Sequence, residues 1–74
     1  MTELYAAVLV HSTNYAIRVE KVLGRAGLAC KLIPVPRHLS SDCGACVRIR
    51  RVDREQAQHI LQAENVEISG IYDL

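Results

Sequence analysis

Residues 29–52 read Ala29-Cys30-Lys31-Leu32-Ile33-Pro34-Val35-Pro36-Arg37-His38-Leu39-Ser40-Ser41-Asp42-Cys43-Gly44-Ala45-Cys46-Val47-Arg48-Ile49-Arg50-Arg51-Val52. Two strand-like segments meet here across a loop and not across a helix, and that decides the fold. The first, 29–35, is mostly apolar. The second, 45–52, alternates Val47 and Ile49 with Arg48 and Arg50, the period-two pattern of a strand with one covered and one polar face. Between them Pro34 and Pro36 each fix φ and remove an N–H donor, and Gly44 is expected to supply a backbone shape that a residue with a Cβ would resist.

On the N-terminal side, residues 3–10 are short, nearly all apolar, and end at His11-Ser12-Thr13-Asn14. That is the pattern of a central strand buried on both faces. Ser12, Thr13 or Asn14 can cap a helix over 14–26, where Ala16, Val19, Val22, Leu23 and Ala26 recur at three- and four-residue spacing. Gly27 follows the last apolar position and is the expected C-cap. On the C-terminal side, Asp53 followed by Gln56 resembles a capping box opening a helix over 54–63, with Ala57, Ile60 and Leu61 on one side. Residues 66–72 close as a fourth strand.

The order βαββαβ predicts an α+β, ferredoxin-like sandwich formed by one domain, 1–74, with a four-stranded antiparallel sheet and both helices on one face. Right-handed crossovers place the first and third strands at the centre. The end of strand one and the start of strand three then share a sheet edge, bringing His11 and the first helix's N-terminus toward Cys43.

Half of the 74 residues are hydrophobic, yet Trp and Phe are absent and only Tyr5, Tyr15 and Tyr72 are aromatic. The core is therefore built from Val, Ile, Leu and Ala. A net charge of +1 gives no electrostatic case for nucleic acid or an anionic membrane as partner. No apolar run approaches the roughly 20 residues of a membrane span, and no secretory core is visible, so a cytoplasmic protein is expected. Three cysteines without such a signal read as free or functional thiols.

The loop concentrates the chemistry. Cys43 is the candidate nucleophile, because nearby cations lower a thiol's pKa, and Arg37, His38 and Arg48 are the cations available. N–H groups around Ser41 and Gly44 can form an anion nest, with Ser40 and Ser41 as turn hydroxyls. Cys43-Gly44-Ala45-Cys46 has the two-thiol spacing of redox and zinc motifs. Zinc would need two more ligands, from Cys30, His38 and His11 at a distance, and no metal or cofactor is expected. A Cys43–Cys46 disulfide stays open; if 44 and 45 already belong to the strand, the two side chains point to opposite faces. Cys30 reads as core, His59 as solvated, and Arg50, Arg51 and Arg54 as a solvated edge.

The run Leu32-Ile33-Pro34-Val35-Pro36-Arg37, followed by Leu39-Ser40-Ser41-Asp42-Cys43-Gly44 and Arg48, resembles a family of small bacterial and archaeal domains described as selenium or sulfur carrier-like proteins. His11-Ser12-Thr13 and Ala26-Gly27 also fit that family's pattern, so the resemblance covers nearly the whole chain. It implies a sulfur or selenium carrier with Cys43 as acceptor, Arg37 and Arg48 stabilising the anion, and Ser40, Ser41 and Gly44 shaping the loop. Cys46 departs from the pattern, which more usually has a small or apolar residue there; it is either a resolving thiol or a buried small side chain. The implied partners are a cysteine desulfurase or selenium-donor protein and an acceptor protein. The alternative is a binding or regulatory module that dimerises or docks on an enzyme, with Cys43 and Cys46 a redox or structural thiol pair; because apolar positions on the sheet face opposite the helices need covering, a homodimer or a fused or docking partner is expected. Neither reading gives the chain a turnover of its own, because no general acid–base pair or cofactor motif is legible.

Overall fold

The computed structural model describes residues 4–37, 39 and 44–74. Its elements are β1 (Tyr5–Leu9), α1 (Thr13–Arg25), β2 (Cys30–Pro34), β3 (Ala45–Arg50), a short 3-10 turn (Arg51–Asp53), α2 (Arg54–Ala63) and β4 (Gly70–Asp73). The strands form one antiparallel sheet in the order β2-β3-β1-β4, so β1 and β3 are central, as the crossover rule requires. This is the ferredoxin-like α+β arrangement.

The sheet's two faces are populated by the strands' alternation. Ala6, Val8, Val47 and Ile49 pack with Ala16, Val19, Val22 and Leu23 of α1 and Ala57 and Leu61 of α2 in the main core. The opposite face carries a smaller cluster of Ala7, Leu9 and Cys46, against which Ile33, Val35, Leu39 and Leu74 pack. β1 is thus buried on both sides. The chain supplies part of the cover for the second face from its own loop and C-terminal residue. Tyr72 and Leu4 remain exposed.

Both helices end in the same way. Gly27 sits at φ +85°, with Leu28 N–H donating to the Leu23 carbonyl (3.0 Å) and Gly27 N–H to that of Gly24 (3.1 Å). After α2, Asn65 takes φ 56°, with Val66 N–H on the Leu61 carbonyl (2.9 Å) and Asn65 N–H on that of Gln62 (3.1 Å). These are paired Schellman closures, each bringing an apolar residue back onto the core. Gly27 is the C-cap expected; Ala26 lies beyond α1 and is exposed, not part of its buried stripe.

Four other expectations are corrected. β3 stops at Arg50, not at 52, because the chain turns into the Arg51–Asp53 coil and leaves Val52 80% exposed. β4 pairs only from Gly70; Val66 is buried, but by the Schellman closure and not by a ladder. The Asp53 side chain makes no cap bond, since its carboxylate accepts from Arg50 Nε at 3.1 Å. Gly44 lies outside the left-handed region, and a Cβ there would meet nothing within 4 Å, so its backbone does not require glycine.

Both sheet edges are occupied by side chains. On β2, the Glu20 carboxylate accepts the outward Leu32 N–H at 3.0 Å, and Pro34 has no N–H to offer. On β4, Arg54 donates to the Ile71 carbonyl (3.0 Å) and to the Asp73 carboxylate (2.9 Å). Arg51 donates to the carbonyls of Tyr5 (3.0 Å) and Leu74, while Leu74 N–H donates to Tyr5 (3.0 Å). Arg51 and Arg54 thus clasp β4, while Arg50 and Arg54 keep exposed side chains, as the solvated-edge reading expects.

Candidate functional site

β2 and β3 form a hairpin whose register runs from Cys30 opposite Ile49 to Pro34 opposite Ala45, and Val35 N–H extends it by donating to the Gly44 carbonyl (3.3 Å). The ladder holds both ends of the loop. After Val35, Leu39 N–H returns to the Pro36 carbonyl at 3.0 Å, a tight turn that places Arg37 exposed at its tip. Leu39 then packs on the Ala7, Leu9 and Cys46 cluster. The β1–β3 register, with Val8 opposite Val47, puts the end of β1 beside the start of β3 as expected. His11, just past that end, faces Glu67 at 3.7 Å with both side chains mostly exposed, a contact of small energetic weight.

Cys43, Ser40 and Ser41, with His38 and Asp42, lie outside the described residues, and so do the anion nest and the Cys43–Cys46 pairing. The remaining candidates have distinct environments. Cys46 is 0% exposed, on the sheet face away from the helices, among Ala7, Leu9 and Ile33. Of the two readings of this residue, its burial fits the small buried side chain. Arg48 is half-buried on the same face, its guanidinium 4.2 Å from the centre of the Tyr5 ring, a cation–π contact. Arg37 and Arg48 are thus held by different elements, one at the loop tip and one in mid-strand.

Cys30 is partly buried against the main core. Its thiol donates to the Glu20 carbonyl at 3.5 Å, and burial, reinforced by the Glu20 carboxylate, pushes its pKa up. It is therefore a poor nucleophile at neutral pH. Among the described residues no group of three or more His, Cys, Asp or Glu side chains could hold a metal ion. His59 is exposed on α2. No helix among the described residues is long and apolar enough to cross a membrane.

Sequence reasoning missed two features. One is the Glu20 carboxylate on the β2 edge, legible only as a charge breaking into α1's partly buried flank. The other is a row of cations on the open face; Lys31, Arg48 and Arg50 share it because both strands alternate, a signal visible once the β2–β3 register is known.

Fold and loop together define a small split-βαβ domain with a cysteine-bearing connection between its second and third strands. A family model described as "Putative Se/S carrier protein-like" matches residues 5–73, and the chain belongs to that family. No curated protein and no solved structure matches it.

Proposed function

We propose that the protein is a sulfur or selenium carrier whose acceptor atom is Sγ of Cys43. The observation that carries this reading is the family match across the β2–loop–β3 unit. It is supported by the ladder that clamps both loop ends and by the contrast among the cysteines: Cys30 has a raised pKa and Cys46 is buried, which leaves Cys43 as the thiol suited to exchange.

In the sulfur case the Cys43 thiolate attacks the terminal sulfur of a donor persulfide, R–S–SH. The donor S–S bond breaks, R–S⁻ leaves with the electron pair, and Cys43 becomes the persulfide. An acceptor thiolate repeats the exchange and restores Cys43. Arg37 stabilises the anion at the loop tip and Ser40 and Ser41 shape the turn, while Arg48 contributes a positive potential from the sheet face. The donor is a cysteine desulfurase or selenium-donor protein, the acceptor a second protein, in the cytoplasm. Burial of Cys46 favours transfer to an external acceptor over internal attack, which would yield a Cys43–Cys46 disulfide and sulfide.

Incubation with a cysteine desulfurase and cysteine, followed by intact mass measurement, tests this. One added sulfur on the wild type and on Cys46→Ala, absent from Cys43→Ser, is the expected result. If Cys43→Ser gains sulfur at the wild-type rate, the carrier reading is wrong and a docking module takes its place.

A further inference from the structure

The face of the sheet away from the helices carries a second feature, centred on Lys31, Arg48 and Arg50. In the β2–β3 register Lys31 stands directly opposite Arg48, and Arg50 follows Arg48 by two residues on the same side of β3. Like charges directly opposite on neighbouring strands destabilise a sheet. Arg50 is partly neutralised by Asp53 (3.1 Å), but among the described residues neither Lys31 nor Arg48 has a carboxylate partner. The three cations line a cavity of about 390 Å³ together with Tyr5, Ala29, Cys30 and Ile49, and no acidic residue lines it.

We propose that this cavity is an oxyanion site that takes a phosphate ester of a small organic molecule. Lys31 and Arg48 meet the oxyanion, Arg48 with its guanidinium fork held against Tyr5, and the organic part lies along Ala29 and Cys30. The cavity's size falls in the range of small-ligand sites. The site shares Arg48 with the carrier reading, three residues along β3 from Ala45 and roughly 10 Å from the end where the loop joins, whereas Lys31 and Arg50 have no part in that reading.

The test is an NMR titration of the full chain with inorganic phosphate, with phenyl phosphate and with an oligoglutamate peptide. Saturable amide shifts at Tyr5, Lys31, Arg48 and Arg50, at lower concentration for phenyl phosphate than for phosphate, are expected. The Lys31→Gln/Arg48→Gln variant should weaken phenyl phosphate at least tenfold, whereas Lys21→Gln, an exposed cation on α1, should leave it unchanged. Non-saturating shifts, or an equal loss in Lys21→Gln, would show an ordinary solvated basic face and overturn the proposal. So would binding of oligoglutamate alone. Thermal unfolding gives a second readout: phenyl phosphate should raise the wild-type Tm and not that of the double variant.

Discussion

Cys46 shows how little of a thiol's chemistry follows from spacing. It stands three residues from Cys43, yet its side chain is shut among Ala7, Leu9 and Ile33 and behaves as a small apolar residue. Cys46→Ser would put a more strongly hydrated hydroxyl at this 0% exposed position, and the desolvation should cost about 1–3 kcal/mol. Cys46→Ala should be the milder change, and urea unfolding of the two variants measures the difference. At Cys30 the Glu20 carboxylate adds to burial in raising the pKa, so Glu20→Gln should speed Cys30 alkylation at pH 8 in a Cys43→Ser/Cys46→Ala background while leaving an acceptor for Leu32 N–H. The sign for stability follows from linkage. A thiol whose folded pKa is raised keeps its proton better when folded, so its contribution is complete below the unfolded pKa and is lost as pH rises through the folded one. The wild type should therefore lose stability above about pH 9 more steeply than Cys30→Ala, as denaturant midpoints against pH would show.

At the scale of elements, the two Schellman closures make opposite predictions from the same geometry. Gly27→Ala puts a Cβ on a left-handed residue and should destabilise by about 1 kcal/mol, whereas Asn65→Gly relieves one and should stabilise by a few tenths. Thermal melts of both variants check the pair. Gly27 was legible in the sequence because glycine announces its conformation; Asn65 was not, although Leu61 and Val66 bracket it as Leu23 and Leu28 bracket Gly27. The order of elements and the central placement of β1 and β3 were legible because apolar periodicity changes cleanly from two to about 3.6. Strand ends were less so: β3 continues in pattern to Val52, but Arg51 is drawn away to the carbonyls of Tyr5 and Leu74, a tertiary pull invisible in local periodicity. Of the candidate site, the sequence marks the loop and its inventory, while the burial of Cys46 and the stacking of Arg48 on Tyr5 depend on which face each strand residue takes.

For the molecule as a whole, the side chains on the sheet edges constrain how copies can meet. Leu32 N–H is taken by Glu20, Pro34 offers none, and Ile71's carbonyl is taken by Arg54, so strand-to-strand addition is hindered at both sides. On the open face Tyr72 is exposed beside Ala7, its partner across the β1–β4 ladder. Glu20→Ala combined with Arg54→Ala should make the chain aggregate with rising concentration, detectable by light scattering against the wild type; unchanged scattering would remove the edge argument. The Leu74 amide on the Tyr5 carbonyl has another use. It lays the last strand's end against the first strand's beginning, so a short linker could join them and new termini could be opened between Pro36 and Gly44. The permuted chain would run β3, α2, β4, β1, α1, β2 through the same sheet with its hairpin connection severed, and would separate what the scaffold needs from what the transfer chemistry needs.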